Sequence, residues 1–548
     1  MKNFYSNLKY ILPLFFLSIL VFGLTYAHQG NIVVDCGREV FYPKRILEGA
    51  VLYKDLFNIY GPFAYLYNAF LFKIFGFNLN VLYISGVLTA ICIISFVFLI
   101  SRLFFDKLLS TSISALTLIL GCFSFYIFNY IFPYSFSMIY GLLAVLASVY
   151  FLLLFVKKNN NTLLYIVSTF FAGLAVSNKY EFIPYCLIFI YLTFKNKISI
   201  KQNLLALITF AIGPCVTFGY LFYQGLSIYD FIHNLKDIYS MSQTVTLNYF
   251  YTISGLIFKK QTLGILIRNF LITLFPLALI YYSFKTLSDN KIKAGIAFAL
   301  SVILAFKITS LETFIFLPFL LLILFCIFHK KLSDEKKILI ISALLISLKV
   351  FWATALSSYG VYFIPLLLIA LITLAKKDYY KQISVYLILL SISFFMFFLP
   401  DRKNIKTLVK TQNGMIYVDK TYGKTSNNII KFINEKTNEH DKILILPEGL
   451  FFNYLTNRRS DDYYNSYLPL YVETFGEDRL IKDLKNDMAD YIILHNIPTG
   501  NYYFKSICLD YGFDVCNFIK EEYSPKALSN ADFTAYIFEK KSDSWFFL

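Results

Sequence analysis

Residues 80–100 read NVLYISGVLTAICIISFVFLI and carry no charged side chain. A helix rises about 1.5 Å per residue, so about 20 apolar residues cross the hydrocarbon core of a bilayer. This run therefore predicts a transmembrane helix. Similar runs recur through the first 400 residues and predict about thirteen spans, at residues 10–27, 80–100, 109–127, 132–155, 162–177, 181–195, 203–224, 264–284, 293–309, 312–328, 338–354, 357–375 and 380–399.

The first of these spans has two interpretations. Lys2 and Lys9 precede its apolar run, an order that is typical of a cleaved signal peptide and also of a retained anchor. No clear small-residue cleavage site follows the run, and Ala27-His28 is a poor candidate. We therefore interpret the segment as a retained anchor.

The composition changes sharply near residue 400. Of the whole chain 58% is hydrophobic and only 15% charged, whereas soluble proteins carry about 25% charged residues. Residues 1–400 hold 31 Lys and Arg against 13 Asp and Glu, and residues 401–548 hold 19 against 21. The sequence thus predicts a membrane domain at 1–400, with an external loop at 28–62, and a soluble domain at 401–548.

The predicted soluble domain alternates helical and strand patterns. Amphipathic stretches at 426–438 and 476–488 predict helices, and short apolar runs at 442–446, 490–494 and 533–539 predict strands. Such alternation is typical of a layered α/β domain. The predicted fold class is therefore mainly α: a polytopic transmembrane helical bundle followed by a C-terminal extracytoplasmic α/β domain.

The loops between the spans differ in charge on the two sides of the membrane. One set of short loops holds 19 basic residues against 5 acids, and the longer loops of the other side hold 12 against 8. The positive-inside rule places the first set in the cytoplasm. With thirteen spans the N-terminus is cytoplasmic, and the polar segments 28–62, 225–262 and 400–548 are extracytoplasmic. An error of one span would invert the tail.

Several functional classes lack their sequence signatures. The cytoplasmic loops are too short for a nucleotide-binding domain, and neither GxxxxGK[ST] nor GxGxxG occurs. No basic cluster with interleaved aromatic residues indicates nucleic-acid binding, and no HExxH or paired-cysteine spacing indicates zinc. We expect no cofactor and no bound metal, although a divalent cation stays open. Cys508 and Cys516 are either a disulfide or two free thiols.

The first long loop carries a recognisable pattern. An acid follows the first span, then comes a G-x-x-x-Y-x-D turn, and then a proline and tyrosine lead into the next helix. These positions are Asp35; Gly49, Tyr53 and Asp55; Pro62, Tyr65 and Gly76. The loop resembles the first extracytoplasmic loop of GT-C-type membrane glycosyltransferases, which include the protein O-mannosyltransferases and the lipid A aminoarabinose transferase. Outside the loop the resemblance is one of architecture, with many spans followed by an external domain.

The resemblance implies an activity and its partners. It implies transfer of a sugar from a polyprenyl-phosphate donor to a glycan, lipid or protein acceptor on the extracytoplasmic face, with inversion at the anomeric carbon. Asp35 is the predicted general base, and membrane lipids are further partners. A lipid-linked donor fits an external site, because nucleotide sugars are cytoplasmic.

Five other charged residues are candidates for the site. Glu39 is either a second catalytic acid or the ion-pair partner of Arg38. Arg38, Lys54, Lys179 and Arg268 could bind the donor phosphate, because cationic groups stabilise a phosphate leaving group. Cations near a membrane interface are also ordinary snorkelling residues. For Lys179 the alternative is a local pair with Glu181.

Two features depart from the GT-C pattern. Cys36, Gly37 and Arg38 separate the two acids of the first loop, and residues 129–134 of the second outer loop contain no acid. A metal-assisted mechanism is therefore disfavoured. The WWDYG motif of oligosaccharyltransferases is absent, which disfavours asparagine-linked transfer.

Two alternatives belong to other functional classes. A transporter or flippase of lipid-linked saccharides would explain the spans but predicts internal repeats, and none is evident. A non-catalytic assembly factor would tolerate loss of Asp35. Asp230, His233 and Asp237 recur at helical spacing and predict one polar face of an interfacial helix.

Overall fold

The computed structural model describes residues 2–158, 161–195, 198–253, 257–308, 311–351 and 359–541. Lys197, and parts of three predicted spans at 309, 352–354 and 357–358, lie outside the described residues. The chain divides into two compact units. Unit 1 comprises residues 1–26, 84–216 and 254–402, and unit 2 comprises residues 27–83, 217–253 and 403–548.

Unit 1 is built from helices. Those of α type are Lys2–Thr25, Leu79–Arg102, Lys107–Leu118, Phe136–Lys157, Thr162–Asn178, Leu187–Phe194, Ile200–Tyr223, Lys260–Thr286, Lys291–Ala305, Leu317–Phe328, Asp334–Ile346, Ile364–Ile372 and Tyr380–Arg402. Short 3₁₀ or π segments are Ile119–Phe123, Tyr180–Cys186, Leu311–Phe314, His329–Lys331, Leu348–Val350, Tyr359–Tyr362 and Lys377–Tyr379. The first residues of Leu79–Arg102 and the last of Ile200–Tyr223 belong to unit 2.

Within the described residues, five helices are long and apolar enough to cross a membrane. They are Leu79–Arg102, Phe136–Lys157, Ile200–Tyr223, Lys260–Thr286 and Lys377–Arg402, the last counted with its 3₁₀ turn. Each coincides with a predicted span. The mainly helical fold is confirmed, and the count of thirteen spans stays a prediction.

Small residues bring backbones close together in unit 1. A Cβ atom built on Gly173 would lie 1.9 Å from the carbonyl oxygen of Phe210, and one built on Gly86 would lie 1.7 Å from that of Ile131. Close approach at glycine is typical of membrane helices, whose association depends on van der Waals packing.

Unit 2 combines three separate stretches of chain. Its helices are Gly37–Leu47, Phe63–Phe75, Ile228–Ser242, Val245–Ile253, Lys420–Lys436, Leu450–Thr456, Pro469–Phe475, Glu477–Asn486, the 3₁₀ turn Gly500–Tyr502 and Phe513–Glu522. Its strands are β1 (Ile405–Thr411), β2 (Gly414–Asp419), β3 (Ile443–Leu446), β4 (Tyr491–His495), β5 (Tyr523–Asn530) and β6 (Thr534–Lys540).

The strands form a hairpin and a four-stranded sheet. β1 and β2 pair antiparallel, and the sheet has the order β3-β4-β6-β5, in which only β3 and β4 run parallel. All four residues of β3 are buried, as expected for a strand that is covered on both faces. The predicted strands at 442–446, 490–494 and 533–539 are confirmed by β3, β4 and β6.

The remaining elements of this segment were not predicted. The β1–β2 hairpin, strand β5 and the helices at 450–456, 469–475 and 513–522 have no counterpart in the sequence-based assignment. Cys508 and Cys516 are joined by a disulfide, which decides between the two alternatives.

Candidate active site

The helix Gly37–Leu47 carries the predicted site and is almost entirely buried. Every residue from Gly37 to Arg45 is buried, although the segment includes four charged side chains. Buried charges require partners, and two of these four side chains form ion pairs. Lys44 Nζ lies 2.6 Å from Glu48, and Arg45 Nη2 lies 2.6 Å from Asp461 of the C-terminal segment. The first loop is therefore an integral part of unit 2.

Asp35 lies immediately before this helix in an unusual backbone conformation. Its φ angle is +65°, which few residues other than glycine, asparagine and aspartate adopt. The side chain of Asn31 shapes the preceding turn by accepting the N–H groups of Val33 and Val34. The N–H of Asp35 donates to Oε1 of Glu448 at 3.0 Å. The turn before Asp35 is therefore held by the side chain of Asn31, and the backbone N–H of Asp35 is held by the C-terminal segment.

Arg38 is the cation of this cluster. It is 5% exposed, its Nη1 donates to the hydroxyl of Tyr471 at 3.2 Å, and its guanidinium lies 5.9 Å from the ring centre of Tyr60. Burial raises the pKa of Asp35, and the positive charge of Arg38 opposes that shift. The guanidinium therefore favours the ionised form of Asp35.

Glu39 is buried in the same helix. The hydroxyl of Tyr65 donates to its Oε1 at 3.4 Å. Tyr65 belongs to the proline–tyrosine pattern that leads into the helix Phe63–Phe75, so this contact joins that part of the motif to the helix Gly37–Leu47. The choice between the two roles of Glu39 stays open.

Glu448 is the functional candidate that the sequence does not reveal. It follows β3 and is 4% exposed. Burial first, and then the negative charge of Asp35, raise the pKa of Glu448 to about 8. Its backbone oxygen contacts Nε2 of His495 at 2.6 Å. Only the Pro447-Glu448-Gly449 turn marks it in the sequence, and a turn alone indicates no chemistry.

The other predicted phosphate ligands lie in different surroundings. Lys54 has an exposed side chain in the loop of unit 2, and Arg268 is an exposed residue of the helix Lys260–Thr286 in unit 1. Lys179, also in unit 1, is buried and lies 3.2 Å from Glu181, so the predicted local pair is present. Its Nζ also donates to the hydroxyl of Tyr359 at 2.6 Å.

The helix Ile228–Ser242 carries the predicted polar residues at 230, 233 and 237. Asp230 caps the helix through Ser227, and Asp237 is buried beside Arg479, whose Nη1 lies 3.1 Å away. Arg479 Nη2 also contacts Nε2 of His233 at 3.2 Å. These contacts hold the helix to the C-terminal segment at Asp237, whereas the His233 side chain stays exposed.

No group of three or more His, Cys, Asp or Glu side chains in the described part of the chain is arranged to hold a metal ion. The expected absence of a cofactor or metal stays a prediction.

Gly37 offers a test of this packing. A Cβ atom there would lie 2.8 Å from the backbone nitrogen of Phe451, so Gly37→Ala must displace the helix Leu450–Thr456. We expect a loss of about 1–3 kcal/mol of stability, typical of overpacking, measured as a lower Tm of the purified protein. Gly500→Ala is the control, because Gly500 is exposed and its Cβ would meet no atom within 4 Å. An unchanged Tm for Gly37→Ala would contradict the packing described.

Comparison with known proteins agrees with this fold. Residues 60–220 match the model of the family described as dolichyl-phosphate-mannose-protein mannosyltransferase. The resemblance to GT-C-type membrane glycosyltransferases is thereby confirmed, and the matched segment includes Pro62, Tyr65 and Lys179 but neither Asp35 nor Glu448. No curated protein matches the sequence.

Among solved structures, the chain is similar to ArnT from Cupriavidus metallidurans, whose crystal structure contains undecaprenyl phosphate. The two share 10% sequence identity with a TM-score of 0.51, over 98% of this chain and 99% of that one. At this identity the likeness shows the fold.

Proposed function

We propose that the chain is a membrane glycosyltransferase that moves a sugar from a polyprenyl-phosphate carrier to a glycan, lipid or protein acceptor on the extracytoplasmic face. The observation that carries the proposal is the position of Asp35 in the loop whose pattern resembles that of GT-C enzymes, three residues before the buried Arg38, whose positive charge favours ionisation of Asp35. The undecaprenyl phosphate bound by the structurally similar ArnT supports a lipid-phosphate donor.

The proposed reaction is a single displacement. A hydroxyl oxygen of the acceptor attacks the anomeric carbon of the donor, and Asp35 removes the hydroxyl proton as the new bond forms. The bond from the anomeric carbon to the phosphate oxygen breaks, and the lipid phosphate departs with the bonding electrons. One displacement at one carbon inverts its configuration. Asp35 must be ionised to act, which Arg38 promotes.

The departing phosphate requires positive charge. Arg38 is the buried candidate in unit 2 for binding this phosphate, because a guanidinium offers a phosphate several rigidly placed donors. We propose that Lys179, Lys54 and Arg268 also contribute to donor binding. The buried setting of Lys179 favours it over the two exposed side chains, because burial strengthens an electrostatic interaction.

The experiment that tests the function is a transfer assay with purified protein in liposomes. A panel of polyprenyl-phosphate sugars is presented with glycan, lipid and peptide acceptors, and the anomeric configuration of any product is determined. We expect transfer from at least one donor with inversion, and no requirement for a nucleotide sugar.

The outcomes separate the competing functions. A product that retains the donor configuration would contradict a single displacement. Movement of the lipid-linked saccharide across the bilayer without bond cleavage would favour the flippase. A protein that binds no lipid-linked sugar and catalyses no transfer would favour an assembly factor.

A further inference from the structure

Glu448 reaches Asp35 from a distant part of the sequence. The hydrogen bond between them joins residues 413 positions apart, and both belong to unit 2. The helix that follows Glu448 packs on the helix that follows Asp35, with Gly37 at the close contact to Phe451. The C-terminal segment therefore contributes a side chain to the loop that carries the proposed general base.

The contact fixes the backbone of Asp35. A residue at φ +65° has left the common helical and extended conformations, so its N–H requires a specific acceptor. Oε1 of Glu448 is that acceptor, at 3.0 Å. Removing it would leave a part-buried N–H without its partner and allow the loop to relax.

The second oxygen of Glu448 is differently placed. Oε2 is buried and accepts no hydrogen bond within the described residues. Burying a charged carboxylate oxygen without a hydrogen-bond partner costs more free energy than burying a protonated carboxyl group. Two carboxyl groups beside one guanidinium also cannot both ionise cheaply.

In the described part of the chain, Arg38 is the cation near Glu448. Asp35 and Arg38 act on its charge, and Glu448 in turn acts on the hydroxyls of Tyr471 and Tyr502 and on the thiol of Cys36. His495 is buried, and its Nε2 contacts the backbone oxygen of Glu448. Burial lowers the pKa of His495 to about 4, so it adds no charge at neutral pH.

We propose that Glu448 is a positioning residue for Asp35, whose Oε1 fixes the backbone of Asp35 and whose carboxyl group acts on the charge of Asp35. The inference rests on the proposed function of Asp35 as general base. It gives the C-terminal segment a part in catalysis.

The first experiment compares Glu448→Ala and Glu448→Gln in the transfer assay, with the exposed Glu435→Ala as control. Glutamine keeps an oxygen that can accept the Asp35 N–H, whereas alanine removes it. We expect Glu448→Ala to lower kcat by about 10- to 100-fold, as misplacement of a reacting group does, with the KM for donor changed less. Glu448→Gln should restore most of kcat.

The pH profile separates positioning from a purely structural role. In the wild type, ionisation of Glu448 places a negative charge near Arg38 and opposes binding of the donor phosphate there, so activity should fall as the pH rises through about 8. Glu448→Gln cannot ionise and should lose that alkaline limb. Wild-type kcat and an unchanged pH profile in both variants would overturn the proposal.

A second measurement does not depend on activity. The Tm values of wild type, Asp35→Asn, Glu448→Gln and the double variant form a double-mutant cycle, recorded at pH 6 and pH 8.5. Because the folded protein holds a proton on Glu448 that the unfolded chain releases above its ordinary pKa of about 4.3, wild-type Tm should fall as pH rises toward 8. Glu448→Gln should remove much of this fall.

The cycle also distinguishes failure of the proposed function from failure of the proposed role of Glu448. Coupling between positions 35 and 448, together with no transfer from any donor, would reject the proposed function and keep the contact between the two carboxyl groups. Strictly additive effects on Tm at both pH values would overturn the proposed electrostatic coupling of the two carboxyl groups, whether or not the protein is an active transferase.

Discussion

Asp35→Asn is expected to lower kcat for sugar transfer by about 10²–10⁴-fold, the usual contribution of a general base. Asparagine has nearly the same shape as aspartate but cannot accept the proton of an acceptor hydroxyl. It also tolerates the left-handed conformation at φ +65° and keeps the N–H that donates to Glu448. The variant should therefore fold normally and still bind donor lipid.

The measurement is kcat in the transfer assay beside donor affinity from an equilibrium binding assay. Asp230→Asn is the matched control, since Asp230 is a half-buried residue that takes part in a helix cap of the same unit, lies outside the proposed site, and should leave kcat unchanged. An Asp35→Asn enzyme with wild-type kcat would show that another group accepts the proton. The protein could then still be a membrane glycosyltransferase, but Asp35 would not be its general base.

Lys179→Met is expected to weaken donor binding by about 10- to 100-fold, because a hydrogen bond to a charged group contributes about 1.5–3 kcal/mol. The same change leaves Glu181 with fewer partners. Removing one member of a buried ion pair costs about 3–5 kcal/mol. Lys349 Nζ still lies 3.4 Å from Glu181 and should reduce this loss. The single variant should therefore lose both stability and donor affinity.

The double variant Lys179→Met with Glu181→Gln separates these effects. Glutamine carries no charge to leave unpaired and can still accept from the Tyr359 hydroxyl, which donates to Glu181 at 2.6 Å in the wild type. We expect the Tm to recover and the donor affinity to stay low. Recovery of both would mean that Lys179 serves only as the partner of Glu181, the alternative that the sequence also allowed.

The proposed site residues of the first loop can be selected from sequence because they are neighbours in the chain. Asp35, Arg38 and Glu39 lie within five positions, and their spacing places them at the start of one helix. Glu448 is not predictable in this way, since its role depends on a fold that joins it to residue 35. An acid in a proline–glycine turn has many ordinary explanations, and only the folded structure selects one.

In the C-terminal segment, some elements of secondary structure are likewise predictable from local sequence and others are not. β3, β4 and β6 are recognisable because they are short apolar runs between clear helical patterns. The β1–β2 hairpin has no predicted counterpart, although an Asn-Gly dipeptide favours a hairpin turn; the turn falls at Gln412-Asn413, and Gly414 begins β2. β5 carries exposed polar residues and a proline, and it is a strand because β6 pairs with it.

The wide separation of Asp35 and Glu448 has a consequence for biosynthesis. Translation proceeds at about 5–20 residues per second, so the carboxylate partner emerges roughly 20–80 seconds after the residue that it holds, given their 413-position separation. During that interval the nascent chain contains the proposed base but not the proposed positioning residue. A chain that ends before residue 448 would keep the long apolar helices and lack the acceptor of the Asp35 N–H, so we expect incomplete synthesis to give a protein of low transfer activity.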